Sequence, residues 1–89
     1  MTMTNDVEIL KVADFYRTAD LALAAVISLS VPIEALDRQG GRGKAHFLFR
    51  RNEQLDLLVE RFWRGELRVE PQAYFAALRN IKARLYGDD

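Results

Sequence analysis

Residue types able to do covalent chemistry are sparse in this chain. His46 is the single histidine, and there is no cysteine. Ser28 and Ser30 could offer a hydroxyl nucleophile, but a hydrolytic triad needs a base bonded to that hydroxyl and a third group orienting the base. No spacing here supplies that geometry, so His46 reads as a partly exposed strand residue. The lack of cysteine removes disulfides, thiolate nucleophiles and cysteine-based zinc or iron–sulfur centres.

Gly40-Gly41-Arg42-Gly43-Lys44 hints at a phosphate loop, yet the match fails at both ends. Arg38 stands where the first glycine belongs, and Ala45 follows the lysine where Ser or Thr should hold a magnesium ion. The segment also leads into a strand, which leaves no helix N-terminus to face a phosphate. Glu53, Asp56 and Glu60 share one side of a helix. A divalent cation would need further oxygens from a loop or second helix, and Glu60 precedes Arg64 by four residues, the favourable order for a helical ion pair. Catalytic residues, metal ligands and cofactor sites are therefore expected to be absent, and the chain is expected not to be an enzyme.

Charge carries the one functional hint. The net charge is zero, but residues 1–37 hold six acids against two bases and residues 38–89 hold eleven bases against seven acids. Between Arg38 and Arg51 stand five bases and no acid. Arg38, Arg42 and Lys44 flank a glycine-rich turn, where a hairpin tip could follow a phosphate backbone. Arg42 to Phe49 also follows part of the RNA-recognition strand pattern: Arg42, Gly43, Ala45 and Phe49 fit, whereas Lys44, His46 and Phe47 do not. Arg79, Lys82 and Arg84 could extend a basic surface, although bases near a helix C-terminus are favoured by the helix dipole alone.

The elements that must position these groups follow from period and punctuation. Residues 1–12 have nothing to pack and are expected to fray, leaving a single domain over 13–87. Ala13 to Arg17 reads as a strand. Thr18 suits the N-cap of a helix over Ala19 to Leu29, apolar on nearly all sides, which marks a central buried helix or an oligomer face. Pro32 stops it. Ile33 to Asp37 and Lys44 to Arg50 form a hairpin about the glycine-rich turn, with Ala45, Phe47 and Phe49 on one face and His46, Leu48 and Arg50 on the other.

Asn52 caps a helix whose Leu55, Leu58, Val59, Phe62 and Trp63 make an amphipathic stripe, ended by Gly65. Leu67 and Val69 alternate as a candidate fourth strand. Pro71 opens a last helix with Tyr74, Leu78, Ile81 and Leu85 inward, Val69 and Tyr74 placed as a hydrophobic staple, and Gly87 as its stop. The order is β-α-β-β-α-(β)-α. This is an α+β domain with a small antiparallel-rich sheet of three or four strands packed with three helices, and it permits a ferredoxin-like sheet.

Four segments taken together resemble a known family. They are Phe15-Tyr16-Arg17-Thr18-Ala19-Asp20-Leu21-Ala22-Leu23-Ala24-Ala25, Phe47-Leu48-Phe49, Phe62-Trp63-Arg64-Gly65-Glu66 and Tyr74-Phe75-Ala76-Ala77-Leu78. The chain is similar over residues 14–87 to short bacterial and mobile-element proteins carrying a domain of unknown function. Ser30 departs from a glycine frequent there after the first helix. The resemblance implies a fold and no active site.

With 89 residues the chain hides only roughly 60 to 65% of its unfolded surface. A helix as apolar as Ala19–Leu29 is hard for so small a domain to cover, which makes Leu23, Val26 and Ile27 candidates for self-association. The most apolar run, Leu21 to Leu29, falls short of the about 20 residues of a membrane span. No signal-peptide pattern opens the chain, so a soluble, cytoplasmic protein is expected. The functional expectation is a non-catalytic interaction module, binding a protein partner or itself. The alternative is nucleic-acid binding through the basic hairpin around residues 38–51.

Overall fold

The computed structural model describes residues 14–38 and 45–87. The N-terminal segment 1–12 and the hairpin tip with Arg42 and Lys44 lie outside these. The elements run β1 (Phe15–Thr18), α1 (Leu21–Ser28), β2 (Ile33–Asp37), β3 (His46–Arg50), α2 (Glu53–Arg64) and α3 (Pro71–Gly87). The α+β class and the element order are those expected from the sequence. Leu67 and Val69 are the exception: they lie in a non-strand link, and the sheet of the described residues has three strands.

The strands are ordered β1-β3-β2, with β3 antiparallel to both neighbours. β1 and β2 therefore run parallel, joined through α1, with β3 inserted between them. This is the split β-α-β arrangement of ferredoxin-like sheets. Alternation along β3 decides the core: Phe47 and Phe49 are fully buried, while His46 and Leu48 are half-buried and Arg50 is exposed. The inward phenylalanines carry Tyr16 and Thr18 of β1 as cross-strand partners. Leu23, Ala24, Ala25 and Ile27 of α1, Leu55 of α2, and Ala77 and Ile81 of α3 complete the core, so all three helices reach the same side of the sheet.

α1 is the centre of that layer. It packs chiefly on α3 and less extensively on α2 and β1. Its N-cap is Asp20, whose carboxylate accepts the Leu23 N–H at 3.0 Å. Thr18 had the right chemistry for that role but is consumed elsewhere. It closes β1 opposite Phe47, and its hydroxyl accepts the Asp20 N–H at 3.1 Å. The strand thus runs one residue further, and the helix starts later than residue 19.

α2 begins and ends as its sequence dictates. Asn52 accepts the Leu55 N–H at 2.7 Å, and Gly65 takes the left-handed conformation at φ 71°, which glycine adopts without steric cost. Glu70 caps α3 through its carboxylate, accepting the N–H groups of Gln72 and Ala73 at 3.2 and 2.8 Å.

Candidate functional site

The residues singled out for chemistry are dispersed or already engaged. Ser28 donates its hydroxyl to the Ala25 carbonyl within its own helix, a backbone contact that orients no nucleophile. His46 lies opposite Asp37 across the β2–β3 pair, and its Nδ1 is buried with no hydrogen-bond partner among the described residues. Asp56 pairs with Arg51 at 3.2 Å, and Glu60 pairs with Arg64 at 2.9 Å in the expected i, i+4 sense. Among the described residues no three His, Asp or Glu side chains gather as a metal shell would require.

The basic stretch is largely committed to the protein's own acids and carbonyls. Arg38, expected at a phosphate-binding tip, donates to the Arg84 and Leu85 carbonyls at 3.2 and 2.9 Å, satisfying orphan acceptors near the end of α3. Arg50 pairs with Asp14 and lies over the Phe15 ring, 5.0 Å from its centroid. Arg17 pairs with Asp37 at 3.2 Å. Phe47 and Phe49, the aromatics of the partial RNA-recognition pattern, face the helices and offer no ring to a base.

The self-association candidates lie under the chain's own cover. Leu23 and Ile27 are fully buried and Val26 is only 5% exposed, all by the chain's own sheet and helices. A second subunit cannot reach Leu23 or Ile27 without opening the core, and Val26 meets the surface only at the floor of a cleft. The reason is geometric: α1 packs on α3, α2 and β1, and its buried residues share one core with Phe47 and Phe49 of β3. The domain covers the middle of its most apolar helix, Leu23 to Ile27, by itself.

Among the exposed large apolar residues, Trp63, Val69 and Phe75 lie where α2 ends and α3 begins, while Leu29, Leu57 and Tyr86 are spread elsewhere. A cleft of about 260 Å³ is lined by Val26, Phe62, Gly65, Leu67, Val69 and Tyr74. Beside it stand two exposed rings. Trp63, 63% exposed, meets the Phe62 ring edge-on at 5.0 Å, and Phe75, 59% exposed, meets the Tyr74 ring at 5.9 Å. Trp63 was expected on the inward stripe. It falls at the last turn of α2, on the flank of the stripe, where its packing partner is its neighbour Phe62.

Three local devices build this surface. Gly65 turns the chain sharply out of α2, the short link lays Leu67 and Val69 along the opening, and the Glu70 cap with Pro71 starts α3 so that Tyr74 closes the other wall. Val69 and Tyr74 sit at the staple positions expected from the sequence and line the same cleft. The flanking charges are arginine and glutamate: Arg61, Arg64 and Arg68 against Glu60, Glu66 and Glu70. A wider groove of about 740 Å³ lies between the end of α1 and the Ala73, Ala76, Asn80 and Ala83 side of α3, and no aromatic side chain lines it.

No helix among the described residues is long and apolar enough to cross a membrane. Neither the curated proteins nor the solved structures include a match to this chain. Residues 13–87, nearly the whole chain, match the family model described as Domain of unknown function (DUF5659), and the chain belongs to that family.

Proposed function

We propose that this protein is a non-catalytic interaction module whose docking surface is the aromatic cleft between α2 and α3. One observation carries the reading. A chain able to bury Leu23 to Ile27 of its most apolar helix nevertheless leaves a tryptophan and a phenylalanine more than half exposed near a preformed apolar cleft. Scattered surface apolar residues need no explanation, but contiguous ones beside a concavity mark binding sites. The composition agrees, since Trp, Tyr, Phe and Arg are enriched at interfaces and Lys is depleted, and residues 57–75 contain no lysine.

A peptide-library selection on the purified protein tests the reading. Selected sequences are expected to be rich in aromatic or aliphatic anchors and to perturb the NMR signals of Val26, Leu67 and Val69. Binding should be lost in the Trp63→Ala/Phe75→Ala double variant and kept in Leu57→Ala, which removes an exposed apolar residue outside the cleft lining. Perturbations centred on Phe15, Arg17 and Leu48 of the sheet would overturn it. That result from a nucleic-acid titration would favour the alternative, nucleic-acid binding through the basic hairpin around residues 38–51.

A further inference from the structure

We infer that the occupant of the cleft is a second copy of this chain, docked face to face so that Trp63 of each copy enters the cleft of the other and Phe75 packs against its rim. This rests on the docking-surface reading and adds the identity of the partner.

The first support is the shape of the surface. A two-fold interface joins the same patch on both copies, so a patch that serves must present both a projection and a recess. Here the two occur together. Phe62 and Tyr74 line the recess, and the exposed Trp63 and Phe75 rings lie at 5.0 and 5.9 Å from those lining rings. The cleft, about 260 Å³, has room for one large aromatic side chain.

Charge supplies the second support. The stretch 60–70 carries three acids and three bases, so its net charge is zero. A patch built for an acidic peptide or a nucleic acid would be one-sidedly basic, whereas a patch that meets its own copy must avoid like-charge repulsion. Arg61 and Arg68 have no acidic partner among the described residues, while Arg64 is shared between Glu60 and Glu66. Facing an identical stretch places counter-charges within reach of both unpaired arginines.

Area is the third. A stable interface covers roughly 800 Å² per partner. The exposed portions of Trp63, Phe75 and Val69 supply roughly 300 Å² of apolar side chain. The half-buried Phe62, Leu67 and Tyr74 and the stems of three arginines lie around them to extend the contact.

Trp63 is the only tryptophan of the chain, so intrinsic fluorescence reads this one position. Sedimentation of the purified full chain should show a dimer at about 50 μM. Dilution should dissociate it with a red shift of the tryptophan emission, as the indole moves from a dry cleft to water. Phe75→Ala should raise the dissociation constant about thirtyfold or more, the loss typical of a central hot-spot residue, and Leu57→Ala should not move it. Both residues are exposed, so folding of either variant is checked by an unchanged far-ultraviolet spectrum.

A chain that stays monomeric up to about 1 mM overturns the second copy as occupant. The docking surface itself survives that result if library peptides still map to the cleft, and falls if they do not. A dimer whose tryptophan emission ignores dilution also overturns the inference, because its interface would then lie elsewhere.

Discussion

α1 and the junction of α2 with α3 treat apolar side chains in opposite ways. α1 is the most hydrophobic element, and every residue from Leu23 to Ile27 is buried beneath the sheet and the other two helices. α2 is amphipathic and rich in charge, yet its last turn and the start of α3 hold Trp63 and Phe75 in solvent. Hydrophobicity along the chain therefore measures demand for cover, and topology decides where cover is provided. Five consecutive small or branched residues at the centre of a two-layer domain are met from all sides. An aromatic one turn past the core, where the chain leaves its helix, meets only its neighbour. Surface exposed by the second route is available to a partner without any loss of core.

The largest expected effect tests the buried half of this contrast. Val26→Glu would place a carboxylate at a site only 5% exposed, with no cation among the cleft-lining residues to pair it. Burying an unpaired charge costs several kcal/mol, a large share of the about 5 to 15 kcal/mol that holds a domain together. The variant should lose its cooperative thermal transition in circular dichroism. A Val26→Glu protein that keeps its cooperative transition would show that the site can solvate a carboxylate, and the contrast would be erased.

Phe47→Ala comes next, at about 3 to 5 kcal/mol, because the ring is fully buried at the centre of β3 between Thr18 and Leu36. The midpoint of urea unfolding reads it. A small shift would mean that the two aromatic faces of the sheet are less distinct than β3's alternation implies.

Much of this was legible in the residues. Asn52, Gly65 and Pro71 mark helix ends through local chemistry alone, and the alternation of Ala45, Phe47 and Phe49 against His46 and Leu48 gives the buried face of β3. What sequence could not decide depends on distant partners. Thr18 and Asp20 are both good caps two residues apart, and pairing of Thr18 with Phe47 settles the choice. Leu67 and Val69 alternate, but a strand forms only where an edge accepts it. Arg38 finds its carbonyls 46 and 47 residues away, a contact that no local pattern announces. The cleft is half visible in the sequence: Val69 and Tyr74 announce the staple, while the stripe puts Trp63 inward because five residues cannot show how far their cover extends.

Gly65→Ala probes the hinge between the two regimes. The site has room for a Cβ, so the cost comes only from the left-handed backbone at φ 71°, about 1 kcal/mol. The unfolding midpoint should fall slightly. Library peptides should bind more weakly, because Leu67 and Val69 depend on that turn for their place along the cleft. Unchanged peptide binding would mean that the link holds its position without the glycine.

The smallest stability effect belongs to Phe75→Ala. More than half of the ring is in water, and its aromatic contact is the tilted one with Tyr74 at 5.9 Å. Losing that contact costs on the order of 0.5 kcal/mol. Alanine is the better helix former at an exposed position by a few tenths of a kcal/mol, which offsets part of the loss. The unfolding free energy, measured at low protein concentration so that association does not contribute, should stay within about 0.5 kcal/mol of the parent. The same substitution is expected to weaken docking about thirtyfold, so stability and binding would separate at a single residue. A loss of about 2 kcal/mol or more would instead show that the ring supports the core, and the exposed half of the comparison would collapse into the buried one.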